Sequence, residues 1–218
     1  GLCAQICPKK CIELRQDKEG FYYPVVNQDQ CIKCGRCVQK CVQTMKNNQT
    51  LTDAYIGYNP DESVRKDSSS GGIFNAIASA FIDNGGVVFG AAFDDDYSVR
   101  HVRIENKENL SRIMKSKYVQ SDLKYIFDVL AEDLEKGRPV LFTGTPCQVV
   151  AVCQFADGLR LREKLYTIDF ICHGVPSPGV WKSYLNYISK GSEVHEVNFR
   201  DKNHAGWHDY YLHIKYGD

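Results

Sequence analysis

The chain has 218 residues, with 27 Lys plus Arg against 27 Asp plus Glu, so its formal net charge is zero. That balance gives no footing for nucleic acid or an acidic membrane surface and points to proteins or small molecules as partners. The longest apolar stretches, such as VVFGAAF at 87–93, fall far short of the roughly 20 residues a membrane helix needs. Ten cysteines in a chain without a visible secretion signal point to metal binding in a reducing cytoplasm rather than to a secreted disulfide framework.

Seven of those cysteines fall in the first 41 positions. The opening GLCAQICPKKC places Cys3, Cys7 and Cys11 close together, with Pro8 directly after Cys7. CIELRQDKEGFYYPVV follows, and the polar turn Asp17–Gly20 between two strand-like pieces predicts a hairpin. Residues 31–41 read CIKCGRCVQKC, placing Cys31, Cys34, Cys37 and Cys41 at C-x2-C-x2-C-x3-C spacing. A cubane cluster offers four separate irons, so three thiolates on one tight loop can cap three corners, and Gly35 permits the turn beneath them. The alternative, a mononuclear zinc site, prefers two well-separated C-x-x-C pairs, because three ligands from seven consecutive residues crowd one tetrahedral centre.

Set beside this run, the opening aligns with its second half: Cys3 matches Cys37, Cys7 matches Cys41 and Gly1 matches Gly35. Residues 1–45 thus resemble the bacterial two-cluster ferredoxins, in which the fourth cysteine of each run ligates the other cluster. The resemblance implies that Cys7 completes the site of Cys31, Cys34 and Cys37. Cys3 and Cys41 then serve a first 4Fe-4S cluster whose other two ligands lie upstream, so the chain reads as truncated at its front. Val42 stands where the motif usually has proline, and Cys11 falls outside the pattern, reading as a buried small apolar residue.

From about residue 46 the composition turns polar, and 46–64 reads as a linker. In SSSGGIFNAIASAFIDNGG, Ile73, Ile77, Ala80 and Phe81 recur at helical spacing, with Gly85 as the stop. VVFGAAF and DDDYSVRHVRI predict two strands joined by an acidic turn; Asp94, Asp95 and Asp96 there read as solvated, with a divalent-metal role as the alternative. SDLKYIFDVLAEDLEKG predicts an amphipathic helix ending at Gly137. PVLFTGTPCQVVAVCQF and LYTIDFICHGVPSPGVWKSYLNYI each read as strand, tight loop and helix, Ser177 and Pro178 opening the second helix. The fold class is α/β (α+β): a small ferredoxin-like module at 1–45, then a mixed α/β domain over 65–218. Three loops leading into helices, 68–72, 144–148 and 172–176, offer backbone N–H groups to phosphates. No P-loop or GxGxxG fingerprint is present, so a Rossmann dinucleotide fold is not supported.

Five stretches occur in order behind the ferredoxin-like front: SSSGG opening a helix, KSKYVQS at 115–121, LFTGTPCQ at 141–148, DFICHGVPS at 169–177 and FRDKNHAGW at 199–207. Together they resemble the beta-subunit family of coenzyme F420 hydrogenase and dehydrogenase, over nearly the whole chain. The resemblance implies an iron–sulfur flavoprotein oxidoreductase with two 4Fe-4S clusters and FAD, passing electrons between a redox partner protein and a deazaflavin or other small organic acceptor. Carried over residue by residue, it implies that Ser70, Gly71 and Gly72 cradle the FAD pyrophosphate. Lys115 and Lys117 would add positive charge near it, or decorate an ordinary solvated surface. Gly144, Thr145, Cys147 and Gln148 would face the isoalloxazine or its phosphates.

Two narrower readings of Cys147 stay open: a thiolate nucleophile at a helix N-terminus with His173 as base, or, with Cys172, an extra cluster ligand joined by cysteines beyond the chain's end. Cys153 reads as core. His204 and His208, flanking Trp207, read as ordinary decoration of a strand, and Gly217-Asp218 as a hairpin turn lacking its return strand. A non-enzymatic iron–sulfur adaptor is the rival from a different class.

Overall fold

The computed structural model describes residues 1–44, 53–203, 206 and 208–217. Alternation along the strands explains the layers. In β3 (Val87–Phe93) and β5 (Val140–Gly144), Val87, Phe89, Val140 and Phe142 point to one face while Val88 and Leu141 point to the other, all at most 1% exposed. Strands apolar on both faces need cover on both. On the first face α5 (Ile126–Glu135) and α6 (Pro146–Leu159) bring Phe127, Leu130, Val152 and Phe155. On the second, α4 (Ile73–Asp83) and the 3-10 turn Lys107–Ile113 bring Ala78, Leu110 and Ile113.

The sheet runs in the order β4-β3-β5-β6, with β4 at Val99–Ile104 and β6 at Leu165–Asp169. β3 pairs antiparallel with β4, whereas β3–β5 and β5–β6 are parallel and are joined by helical crossovers. The C-terminal ends of the three parallel strands therefore open onto one edge, the usual ligand edge of such sheets. Arg103 on β4 grips buried Asp133 on α5 through two bonds, 2.6 and 2.9 Å, bracing helix to sheet. A third layer is α7 (Pro178–Ser189), whose Trp181 donates to Tyr97 O at 2.8 Å, with the antiparallel pair β7 (Val194–Asp201) and β8 (Tyr211–Tyr216) against it. Ser177 caps α7 and Pro178 opens it, as the sequence predicts.

The front of the chain has a short helix α1 (Leu2–Gln5), an antiparallel hairpin of β1 (Ile12–Gln16) and β2 (Tyr22–Val26), and a second short helix α2 (Arg36–Gln39). It does not float free. Leu2 belongs to the core built around α6, with Ile6 and Val42 packed beside it. Lys40 Nζ donates to Gln154 Oε1 at 3.0 Å, and Gln5 Nε2 donates to Asp128 Oδ1 at 2.6 Å. The hairpin turn meets α7 at close range: a Cβ on Gly179 would meet Gly20 Cα at 2.9 Å, and Ser177 Oγ donates to Glu19 O.

Two expectations need correction. The helix over 73–83 forms, but Phe74, Ala78, Phe81 and Ile82 face the sheet, leaving Ile73, Ile77 and Ala80 exposed. Periodicity gave the helix; only the concave space over Val88 and Leu141 decides which of two apolar stripes turns inward. The stretch read as linker begins outside the described residues; from 53 to 61 it has no helix or strand, and its last residues enter a helix. Helix α3 (Glu62–Lys66) is capped by Asp61, and buried Asn59 bonds to the loop at Gly71 and Gly72.

Candidate functional site

Around the cysteine run, two left-handed residues, Lys33 (φ 53°) and Gly35 (φ 73°), curl the backbone, with Cys34 exposed and Cys31 and Cys37 half-buried. Cys7, Cys31, Cys34 and Cys37 all line one cavity of about 250 Å³, together with apolar Ile12 and Val26. Cys3 and Cys41 do not line it. Among the described residues no three His, Cys, Asp or Glu side chains converge as a single metal ion requires; thiols spread around a cavity this size suit a cluster with several irons rather than one tetrahedral zinc. Cys11, expected to be a buried apolar residue, is buried, but it also lines the cavity, its Sγ 3.5 Å from Cys7 Sγ.

The second site lies at the open edge of the sheet. Thr145 caps α6 with Pro146 at its first turn, and a capping box closes as Gln148 Oε1 accepts from Thr145 N–H at 3.0 Å. Gly144 must be glycine for this, because a Cβ there would lie 2.8 Å from Gln148 Oε1. The other end of the same amide donates from Nε2 to Ser121 Oγ at 2.8 Å. Ser121 in turn bonds His101 Nδ1 at 3.0 Å, and His101 Nε2 bonds Thr143 O at 2.9 Å.

The carbonyl at Thr143 only accepts, so Nε2 carries the proton and Nδ1 accepts from the Ser121 hydroxyl. The hydrogen bonds that link Thr145, Gln148, Ser121, His101 and Thr143 thus each have one assigned direction. His101 is 4% exposed and stacks on Phe142. Burial drives its pKa down to about 4, opposed in part by the Thr143 bond, so the ring is neutral at physiological pH. Sequence reasoning missed His101 and Ser121. The available signal was a polar residue at the inward-facing position of HVRI, which an alternation count passes over.

The segment 115–121 ties this ring to the serine–glycine loop. Ser69 Oγ accepts from both Ser116 N–H (2.8 Å) and Ser116 Oγ (3.0 Å), while Lys202 Nζ donates to Arg65 O and Ser68 O behind it. Ser70 is exposed at the loop's crest, and Gly72 (φ 78°) opens α4 with no side-chain cap among the described residues. Lys115 and Lys117 line a cavity of about 230 Å³ with Arg112. Lys117 is not a solvated surface lysine: its Nζ is held by the carbonyls of Arg112, Met114 and Lys115, and burial, then the Lys115 charge, pushes its pKa down to about 7. Lys202 is likewise lowered, by burial first and then by Arg200 and Lys115.

The remaining cysteines separate. Cys147 is exposed at the start of α6, its Sγ 3.1 Å from Thr145 Oγ1 and bonded to no histidine or carboxylate among the described residues. Cys172 is exposed, and Cys153 is half-buried with its thiol pushed up by burial, at the margin rather than in the core. The acidic turn folds on itself, Asp94 pairing with Arg100 at 2.7 Å and Asp96 accepting from Ser98. His204 and Trp207 lie outside the described residues.

A thiol-lined module docked on a three-layer α/β domain is the arrangement of an iron–sulfur protein. Residues 1–45 match the 4Fe-4S dicluster domain and residues 137–217 match the C terminus of the coenzyme F420 hydrogenase/dehydrogenase beta subunit. Among solved structures it is similar to a chain of the F420-reducing NiFe hydrogenase complex from Methanosarcina barkeri, at 19% identity and a TM-score of 0.50, over 66% of this chain and 53% of that one. It thus spans about half the length of the solved chain it matches. No curated protein matches it. Among the described residues no helix is long and apolar enough to cross a membrane.

Proposed function

We propose that the chain is an iron–sulfur flavoprotein oxidoreductase subunit that passes electrons between 4Fe-4S clusters and FAD, and on to a deazaflavin or other organic acceptor, in the cytoplasm. The carrying observation is that two sites of different chemistry share one rigid element. The thiol-lined module packs on α6 through Leu2, Ile6 and Lys40, and the N-terminus of α6 carries the 144–148 loop. A 4Fe-4S cluster supplies one-electron transfer, and a flavin supplies the exchange between one- and two-electron chemistry.

In this reading residues 1–45 are the cluster module and 65–218 the flavin domain. Cys7, Cys31, Cys34 and Cys37 hold one cluster; Cys3 and Cys41 give two ligands to the other. The N–H groups opening α4 beyond Ser70, Gly71 and Gly72, with Lys115 and Lys117, bind the FAD phosphates. Arg112, Lys115 and Lys117 line one cavity, and Lys117, lowered first by burial and then by the Lys115 charge, would regain its proton beside an anion bound there. Gly144, Thr145, Cys147 and Gln148 line the flavin ring or its phosphates, held by the His101 ring. The beta-subunit family and the hydrogenase complex named above support a redox partner protein and the deazaflavin acceptor.

Anaerobic purification of the full-length protein, with iron, sulfide and flavin quantified beside its visible spectrum, tests this. Iron, sulfide and FAD together are expected. Iron without flavin overturns the flavin assignment in favour of a docking adaptor, and zinc in place of iron overturns the clusters.

A further inference from the structure

The cavity of the cluster ligands contains one thiol more than a cubane needs. A cluster of four irons is capped by four thiolates, and Cys7, Cys31, Cys34 and Cys37 supply four. Cys11 is the fifth sulfur lining the same cavity, 6% exposed, with its Sγ 3.5 Å from Cys7 Sγ. Backbone structure fixes this approach. Lys10 N–H donates to Cys7 O at 3.1 Å, Lys10 takes a left-handed φ of 49°, and Cys11 O accepts from Asn27 N–H at 2.8 Å at the start of the hairpin. The turn Cys7–Lys10 therefore folds residue 11 back over residue 7. A long side chain in the left-handed region costs free energy, which the turn spends to aim this one position.

Packing alone would accept any small apolar side chain here. A thiol adds a donor, and its direction follows from the neighbours. With Cys7 bound as a thiolate, only Cys11 retains a hydrogen, so the contact is an S–H bond given by Cys11 to a ligand sulfur. Hydrogen bonds to cluster sulfurs are among the factors that set the reduction potential, because the added electron spreads negative charge onto those sulfurs. We propose that Cys11 is a positioning residue that donates its S–H to the Cys7 sulfur and thereby raises the reduction potential of the cluster Cys7 completes. The cluster takes up one electron, no covalent bond forms or breaks, and the proton stays on Cys11. The inference rests on the cluster reading above.

The test uses the full chain reconstituted anaerobically with iron and sulfide, beside Cys11→Ala, Cys11→Val and Cys11→Ser, each titrated against potential by electron paramagnetic resonance. Iron and sulfide content reports on the cluster and the midpoint potential reports on Cys11, so the two readings can fail separately. Equal iron content is expected in all four proteins. The midpoint shifts negative in Cys11→Ala and Cys11→Val and returns toward the parent value in Cys11→Ser, whose hydroxyl donates in place of the thiol. An unchanged midpoint in the apolar variants overturns the proposal. So does a shift in Cys11→Ala that Cys11→Val abolishes, which is a cavity-filling effect, and so does loss of iron from either, which makes Cys11 a ligand.

Discussion

His101 and Lys117 each hold an unusual protonation state for the same physical reason, burial away from water, yet the consequences differ. His101 is neutral in the fold with a pKa near 4, below the usual 6.5. Between those values the unfolded chain binds the proton that the folded chain refuses, so stability is full above about pH 6.5 and falls as pH drops. The loss reaches about 3 kcal/mol below pH 4. The midpoint of thermal unfolding, followed from pH 7 to 4.5, is expected to fall less steeply in His101→Gln than in the parent. Lys117, near 7, carries its charge below neutral pH and sheds it above. Pyrophosphate or FAD affinity, measured by titration calorimetry, should weaken as pH rises from 6 to 8.5, and that slope should flatten in Lys117→Met.

At the level of elements, the hairpin's seat on α7 depends on two glycines meeting backbone to backbone. Gly179→Ala puts a methyl against Gly20 Cα at 2.9 Å, where neither chain can yield cheaply. Hydrogen exchange is expected to rise across 12–26 while the central sheet stays protected. The elements were largely legible beforehand, since the strand–loop–helix repeats at 140–159 and 165–189 and the cap at Ser177 follow from local pattern. What sequence could not supply was the choice between equivalents. Ile73 and Ile77 satisfy helical spacing as well as Phe74 and Ala78, and only the sheet decides. Cys11 lay outside the C-x2-C grammar because its nearness to Cys7 comes from a turn. His101 was invisible because its partners, Ser121 and Thr143, are 20 and 42 positions away.

For the whole molecule, the cysteine cavity and the sheet-edge loops are parts of one assembly. Cys34→Ala should remove iron while leaving flavin content intact, and Cys147→Ser should leave iron unchanged, both read by metal and flavin analysis of the purified protein. The docking of the front module has a kinetic consequence. Gln154, which receives Lys40, and Gln148, which closes the capping box, lie on the same helix six residues apart, about 9 Å along its axis at 1.5 Å per residue. With α1 packed into the same core, the spacing between the two sites is set by a rigid rod, and no hinge or swinging arm is needed to bring them together. Internal electron transfer should therefore be indifferent to solvent viscosity: added glycerol or sucrose would slow the encounter with partners and leave the rate inside the protein unchanged.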